Sequence, residues 1–181
     1  EFLSDDLILV ICRNGDFFTT NFDLSNHYED NILIIEKFDS SKVWTAALWD
    51  ADQKYNYLKR FQLESSSRKQ NFLGENTESR LLLLTDETYP RIEVIFGGHD
   101  SFRETLVLDA EEFIAVKGFK AKGKRISTYE VETVNELEPV RFAQESKNIS
   151  ETVEEDEENL EDKSNTDILD EITGQMKLFD E

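Results

Sequence analysis

The chain has 181 residues, with 40 Asp and Glu against 20 Lys and Arg, for a formal net charge of −20. Its single cysteine, Cys12, excludes an internal disulfide. No apolar run approaches the roughly 18 residues that would cross a bilayer, and none follows a positively charged leader, so the chain reads as cytoplasmic and without a signal peptide.

The chain opens at Glu1-Phe2, as a piece of a longer protein would, and its first 143 residues read as strands. Leu7–Arg13 and Asp16–Phe22 flank Asn14-Gly15, the strongest two-residue hairpin signal. Cys12 belongs to the first of these runs and reads as a buried small hydrophobe. Val43–Trp49 and Lys54–Leu63 flank Asp50-Ala51-Asp52. Arg80–Thr85 and Arg91–Phe96 flank residues 86–90, and Phe113–Phe119 and Lys124–Val131 flank Ala121-Lys122-Gly123. Shorter apolar pieces, Ile32–Ile35, Gln70–Leu73 and Thr105–Leu108, lie between these pairs. The four turn centres fall near residues 14, 51, 87 and 122, a spacing that predicts an internal repeat of about four hairpin units. A unit this small cannot bury both faces of its sheet alone. Stacking of neighbours into a propeller-like, all-β array is therefore expected, with an ordinary β-sandwich as the alternative.

Residues 144–181 form a second region. They hold 14 acids and 3 lysines, whereas residues 1–143 hold 26 acids and 17 bases. The stretch 151–167 has almost nothing to bury and is expected to be a flexible acidic tail. Asp167 is placed to cap a short helix over Ile168–Ile172 that ends at Gly174, leaving Gln175-Met176-Lys177-Leu178-Phe179 as an apolar hook.

Catalytic constellations are not evident. His27 and His99 are far apart and lie in no metal-spaced cluster, and Gly97-Gly98 reads as a turn. Basic and aromatic residues interleave in two places. Tyr55–Phe61 carries Lys59 and Arg60, and Val116–Tyr129 carries Lys117, Lys120, Lys122, Lys124 and Arg125 without a single acid. Strand alternation puts Tyr55, Tyr57, Lys59 and Phe61 on one face and Asn56, Leu58 and Arg60 on the other. With Arg13 beside the first turn, these bases form the candidate phosphate-binding set. The bland alternative is a set of solvated lysines that keep hairpin tips soluble.

Three segments carry a resemblance: residues 5–15, residues 42–61 (KVWTAALWDADQKYNYLKRF) and residues 111–131 (EEFIAVKGFKAKGKRISTYEV). They resemble the blade repeats in the C-terminal domain of the A subunit of bacterial type IIA DNA topoisomerases, over roughly residues 5–140. The similarity is nearer to the topoisomerase IV branch (ParC-like) than to the gyrase branch, whose Gln-Arg-Arg-Gly-Gly-Lys-Gly box is missing here. The resemblance implies a β-pinwheel, a propeller variant that exchanges strands between blades. It implies duplex DNA bent or positioned along a basic outer rim, and a chain that is no enzyme by itself. ATP and Mg²⁺ are implied for the whole enzyme alone. The B subunit, with the remainder of the A subunit, makes up the expected partners, and the bacterial nucleoid is the expected place of work. Gln175, Leu178 and Phe179 also resemble the Gln-x-x-Leu-Phe peptides that bind sliding clamps, which makes a protein-interaction propeller the alternative function.

Overall fold

The computed structural model describes residues 6–21, 23, 26, 28 and 30–140. The expectations placed on the tail (its order, the helix over 168–172 and the hook at 175–179) and on His27 lie outside the described residues. Those described residues fold into an all-β unit of three sheets with one short helix.

The first sheet grows from the Asn14-Gly15 turn. Strands β1 (Ile8–Cys12) and β2 (Asp16–Thr20) pair antiparallel across it, with Val10 opposite Phe18. Gly15 holds a left-handed φ of +81°, and a Cβ there would sit 2.4 Å from Cγ of Leu73, so both conformation and space require glycine. Strand β3 (Ile32–Lys37) returns along the far edge of β1. The middle sheet is built on a longer hairpin, β4 (Val43–Asp50) and β5 (Tyr55–Gln62). The Asp50 carboxylate closes its turn by accepting the backbone N–H groups of Asp52 and Gln53, each at 2.9 Å.

From β5 the chain leaves the middle sheet. Strand β6 (Gln70–Asn71) crosses to cover β2 of the first sheet, and β7 (Arg80–Thr85) then returns to pair with β4. The third sheet repeats the excursion. Strands β8 (Arg91–Phe96) and β9 (Leu106–Asp109) pair antiparallel, and helix α1 (Ala110–Phe113) follows, capped by the Asp109 carboxylate. Strands β10 (Val116–Gly118) and β11 (Lys124–Arg125) then cross to β5 of the middle sheet, and β12 (Val131–Leu137) returns to β8.

Two of the four predicted hairpins are therefore not hairpins. β7 and β8, on either side of residues 86–90, belong to different sheets. Pro90 has no N–H to give a ladder, and its carbonyl accepts the Ala110 N–H at 3.0 Å, which anchors the chain in the third sheet. Likewise β10 runs parallel to β5 while β11 runs antiparallel to it, and the two do not pair with each other. The real hairpin turns lie near residues 14, 52 and 101, so the even spacing of about 36 mixed turns within sheets with crossings between them.

The middle sheet is buried on both faces. Trp44, Leu48 and Phe61 pack with Leu9, Ile11, Phe17 and Phe72 of the first sheet and its cover strand. Ala47 and Leu58, pointing the other way, pack with Ile92, Val94, Phe96 and Val134 of the third. Alternation in β4 and β5 thus serves two cores, which explains why β4 reads as a nearly continuous apolar run. Cys12 is buried beside Ile8 and Val10 on the other face of the first sheet, as a small hydrophobe would be.

Candidate nucleic-acid interface

Strand β5 has two edges. One pairs with β4; along the other lies the segment from Val116 to Arg125. Lys117 stands opposite Phe61 and Arg125 opposite Tyr57, so this segment follows β5 over the five residues Tyr57 to Phe61, or about 13 Å. Gly123 lets it hug the strand: its φ is +88°, and a Cβ would lie 2.6 Å from the Leu58 carbonyl oxygen. The interior of the sheet takes Phe119 and Ile126, both buried. The bases between and beside them are turned out: Lys117, Lys120, Lys122, Lys124 and Arg125 lie at the surface.

Local contacts hold several of these cations in place without neutralising them. Lys124 donates to the Phe113 carbonyl at 3.2 Å and lies 4.3 Å over the Phe113 ring. Arg125 stacks 4.7 Å over Tyr55, and Lys120 lies 5.6 Å over Phe119. Lys122 approaches Asp50 at 3.8 Å. Among the described residues, Lys117, Lys120, Lys124 and Arg125 have no carboxylate at ion-pair distance. Some bases elsewhere are paired: Lys37 with Asp6 at 2.7 Å, and Lys42 with Glu36 at 2.8 Å and Asp86 at 2.5 Å. Lys120 and Lys122 also line a cleft of about 840 Å³, together with Asn14 and the carboxylates Asp16, Asp50, Asp52 and Glu75. Exposed Arg13 precedes Asn14 in that turn, so it stands at the same end of the unit.

Lys59 and Arg60 are not part of this surface. Lys59 is only 4% exposed, and its ammonium donates to the carbonyls of Phe72 at 2.7 Å and Phe119 at 2.5 Å. Burial lowers its pKa from 10.5 to about 8. Arg60, opposite Val116, is 8% exposed on the face of the third sheet's core. A strand covered on both faces has no solvent side, so alternation did not expose either residue.

Two bases in an equivalent position were missed. Arg68 and Lys69 lead directly into β6, which covers β2 as β11 covers β5, and both are exposed. The signal was legible in Arg68-Lys69-Gln70-Asn71-Phe72, a basic and polar run ending in an aromatic, but it lies in a connection rather than beside a turn.

Among the described residues no group of three or more His, Cys, Asp and Glu is placed to hold a metal ion. His99 lies in a surface 3₁₀ turn, Gly98–Asp100, and among the described residues no helix is long and apolar enough to cross a membrane.

The model of the Bacteroidota topoisomerase C-terminal domain matches residues 1–138. The chain belongs to that family. A topoisomerase C-terminal domain is an accessory part of its enzyme, which sets this chain within a topoisomerase complex whose business is DNA. No curated protein matches the chain.

Proposed function

We propose that this topoisomerase C-terminal domain holds duplex DNA against the outer edge of its middle sheet and so bends or positions a segment for a topoisomerase IV-like (ParC-like) enzyme. The observation that carries this reading is the run of exposed bases from Lys117 to Arg125, laid along β5 over about 13 Å with no matching run of acids. That length compares with the roughly 12 Å width of a DNA major groove, so one edge reaches phosphates on both sides of it. The net negative charge of the domain does not oppose this, because screening over about 8–10 Å hides distant carboxylates at physiological salt. Arg13, beside the first turn, and Arg68 and Lys69, in the connection into β6, are exposed and are proposed as further phosphate contacts on the first sheet. The excursions that carry β6 and β11 onto the preceding sheet support a β-pinwheel, in which each blade lends a strand to its neighbour.

Titration of a labelled duplex, followed by anisotropy at about 50 mM and 200 mM salt, tests the reading. Binding at the lower salt that weakens sharply at the higher is expected. No detectable binding at the lower salt rejects it and leaves a protein-interaction module. For that role the peptide Gln175, Leu178, Phe179 is proposed as a sliding-clamp ligand, and a pulldown with purified clamp that loses its signal in Leu178→Ala/Phe179→Ala is the corresponding check.

A further inference from the structure

Two excursions of the chain meet at one side chain. Strand β6, which covers β2, lies on the excursion from the middle sheet; β10 and β11, which cover β5, lie on the excursion from the third. Phe72 comes directly after β6, and Phe119 directly after β10. Both rings enter the first core beside Phe17, with centroids 6.4 Å and 5.0 Å from its ring. Both carbonyls accept from the buried Lys59 ammonium, at 2.7 Å and 2.5 Å. Among the described residues Lys59 has no carboxylate at ion-pair distance. Burying an ammonium without a counter-charge is unfavourable, and an apolar side chain of similar length would fill the same space. What the ammonium adds is a bond to each excursion.

The exposed bases begin at the same joints. Arg68 and Lys69 lead into β6, and Lys120 and Lys122 follow Phe119. Ala121 donates its N–H to the Gly118 carbonyl at 2.9 Å, so Phe119 and Lys120 are the central residues of a tight turn. The Phe119 carbonyl belongs to the central peptide of that turn. Its bond to Lys59 fixes the orientation of this peptide, and with it the direction in which Lys120 leaves the chain. Further along, Gly123 presses on the stem of the same lysine: a Cβ there would lie 3.1 Å from Cβ of Lys59.

We infer that Lys59 is a positioning residue for phosphate binding. It touches no phosphate itself, but it joins the two excursions, so that the bases entering β6 and those following Phe119 are held in one arrangement. The consequence for DNA rests on the function proposed above; the joining of the excursions does not.

The test uses the full chain and has two arms. The first is hydrogen–deuterium exchange at the amides of position 72, which bonds to the Gly15 carbonyl, and of Ala121. Phe72→Leu, a mild change beside β6, is expected to speed exchange several-fold at both amides and to leave the β8–β9 ladder unchanged. In a Lys59→Met background the same change is expected to speed position 72 alone. No acceleration at Ala121 in the Phe72→Leu protein overturns the inference without any Lys59 variant. Acceleration at Ala121 that persists in the Lys59→Met background also overturns it, because the packed rings would then carry the coupling. The second arm compares duplex affinity against salt for wild type and Lys59→Met, at a temperature where both are folded. Several-fold weaker binding with a shallower slope is expected, whereas a loss of stability alone would leave the slope unchanged. Equal slopes overturn the positioning role. No duplex binding by the wild type overturns the DNA reading and the positioning role together, and the exchange arm still decides the joining of the excursions.

Discussion

Lys59 is the residue whose structural role departs furthest from its appearance in the sequence. Its ammonium ties together the carbonyls that follow two cover strands, at Phe72 and at Phe119. Removing it leaves two buried acceptors unbonded, so Lys59→Met is expected to destabilise the domain by about 2–4 kcal/mol, read from urea midpoints at pH 7. The pH dependence has a definite sign. The folded-state pKa is about 8 against 10.5 for the free side chain, so between those values the unfolded chain binds the extra proton. The contribution of Lys59 to stability therefore rises with pH from 8 towards 10.5, and below pH 8 the cost of burying the charge is fully present. A neutral amine still has two N–H donors for the two carbonyls, so the bonds survive deprotonation. Stability of the wild type minus that of Lys59→Met should be larger at pH 9.5 than at pH 7; an equal or smaller difference would show the ammonium is not desolvated. Gly123 gives a second prediction at this scale. Gly123→Ala meets both a left-handed φ and the Leu58 carbonyl at 2.6 Å, and a loss of about 2 kcal/mol in thermal unfolding is expected.

At the scale of elements, the cover strands do more than their length suggests. Strand β6 has two residues, yet Phe72 behind it joins Phe17, Phe61 and Phe119 in one aromatic cluster, with ring centroids 5.0 Å apart for Phe17 and Phe119 and 5.1 Å for Phe61 and Phe72. Phe72→Ala is expected to cost about 3–5 kcal/mol and to detach β6, seen as faster amide exchange at residues 70–73 and along β2. Unchanged exchange in β2 would mean that β6 is held by its ladder alone. These elements also mark where sequence reading succeeds. The Asn14-Gly15 hairpin and the β4–β5 hairpin are local objects, set by turn chemistry and alternating side chains, and both were legible. Which strands share a sheet was not, because a five-residue connection such as 86–90 can close a hairpin or step between sheets equally well. Helix α1 hid inside an apolar stretch; Asp109 followed by Glu111 and Glu112 was its only mark. The exposure of Lys124 and Arg125 was predicted from their place near a turn, whereas the burial of Lys59 depended on the strand being covered on both faces.

On the scale of the whole molecule, three stacked sheets place their cover strands on successive second strands, and the bases follow. Arg68 and Lys69 enter the cover of the first sheet; Lys117 to Arg125 form that of the middle one. An acidic chain can thus present one basic edge: some of its carboxylates are engaged elsewhere, as at Glu36 and Asp86 with Lys42, and of the five bases Lys122 alone approaches one, Asp50, among the described residues. The central claim is that this edge neutralises DNA phosphates. It is tested most directly by the slope of log affinity for a duplex against log salt, compared between the wild type and the variant with Lys120, Lys122, Lys124 and Arg125 all changed to Ala. All four side chains lie at the surface, so the variant should keep the wild-type fold, with its circular dichroism spectrum as the check and a small fall in unfolding temperature from the lost ring and carbonyl contacts. The account predicts weaker binding and a slope shallower by about 0.9 for each phosphate no longer neutralised, up to about 3.6 in all. Identical slopes for the two proteins would contradict it.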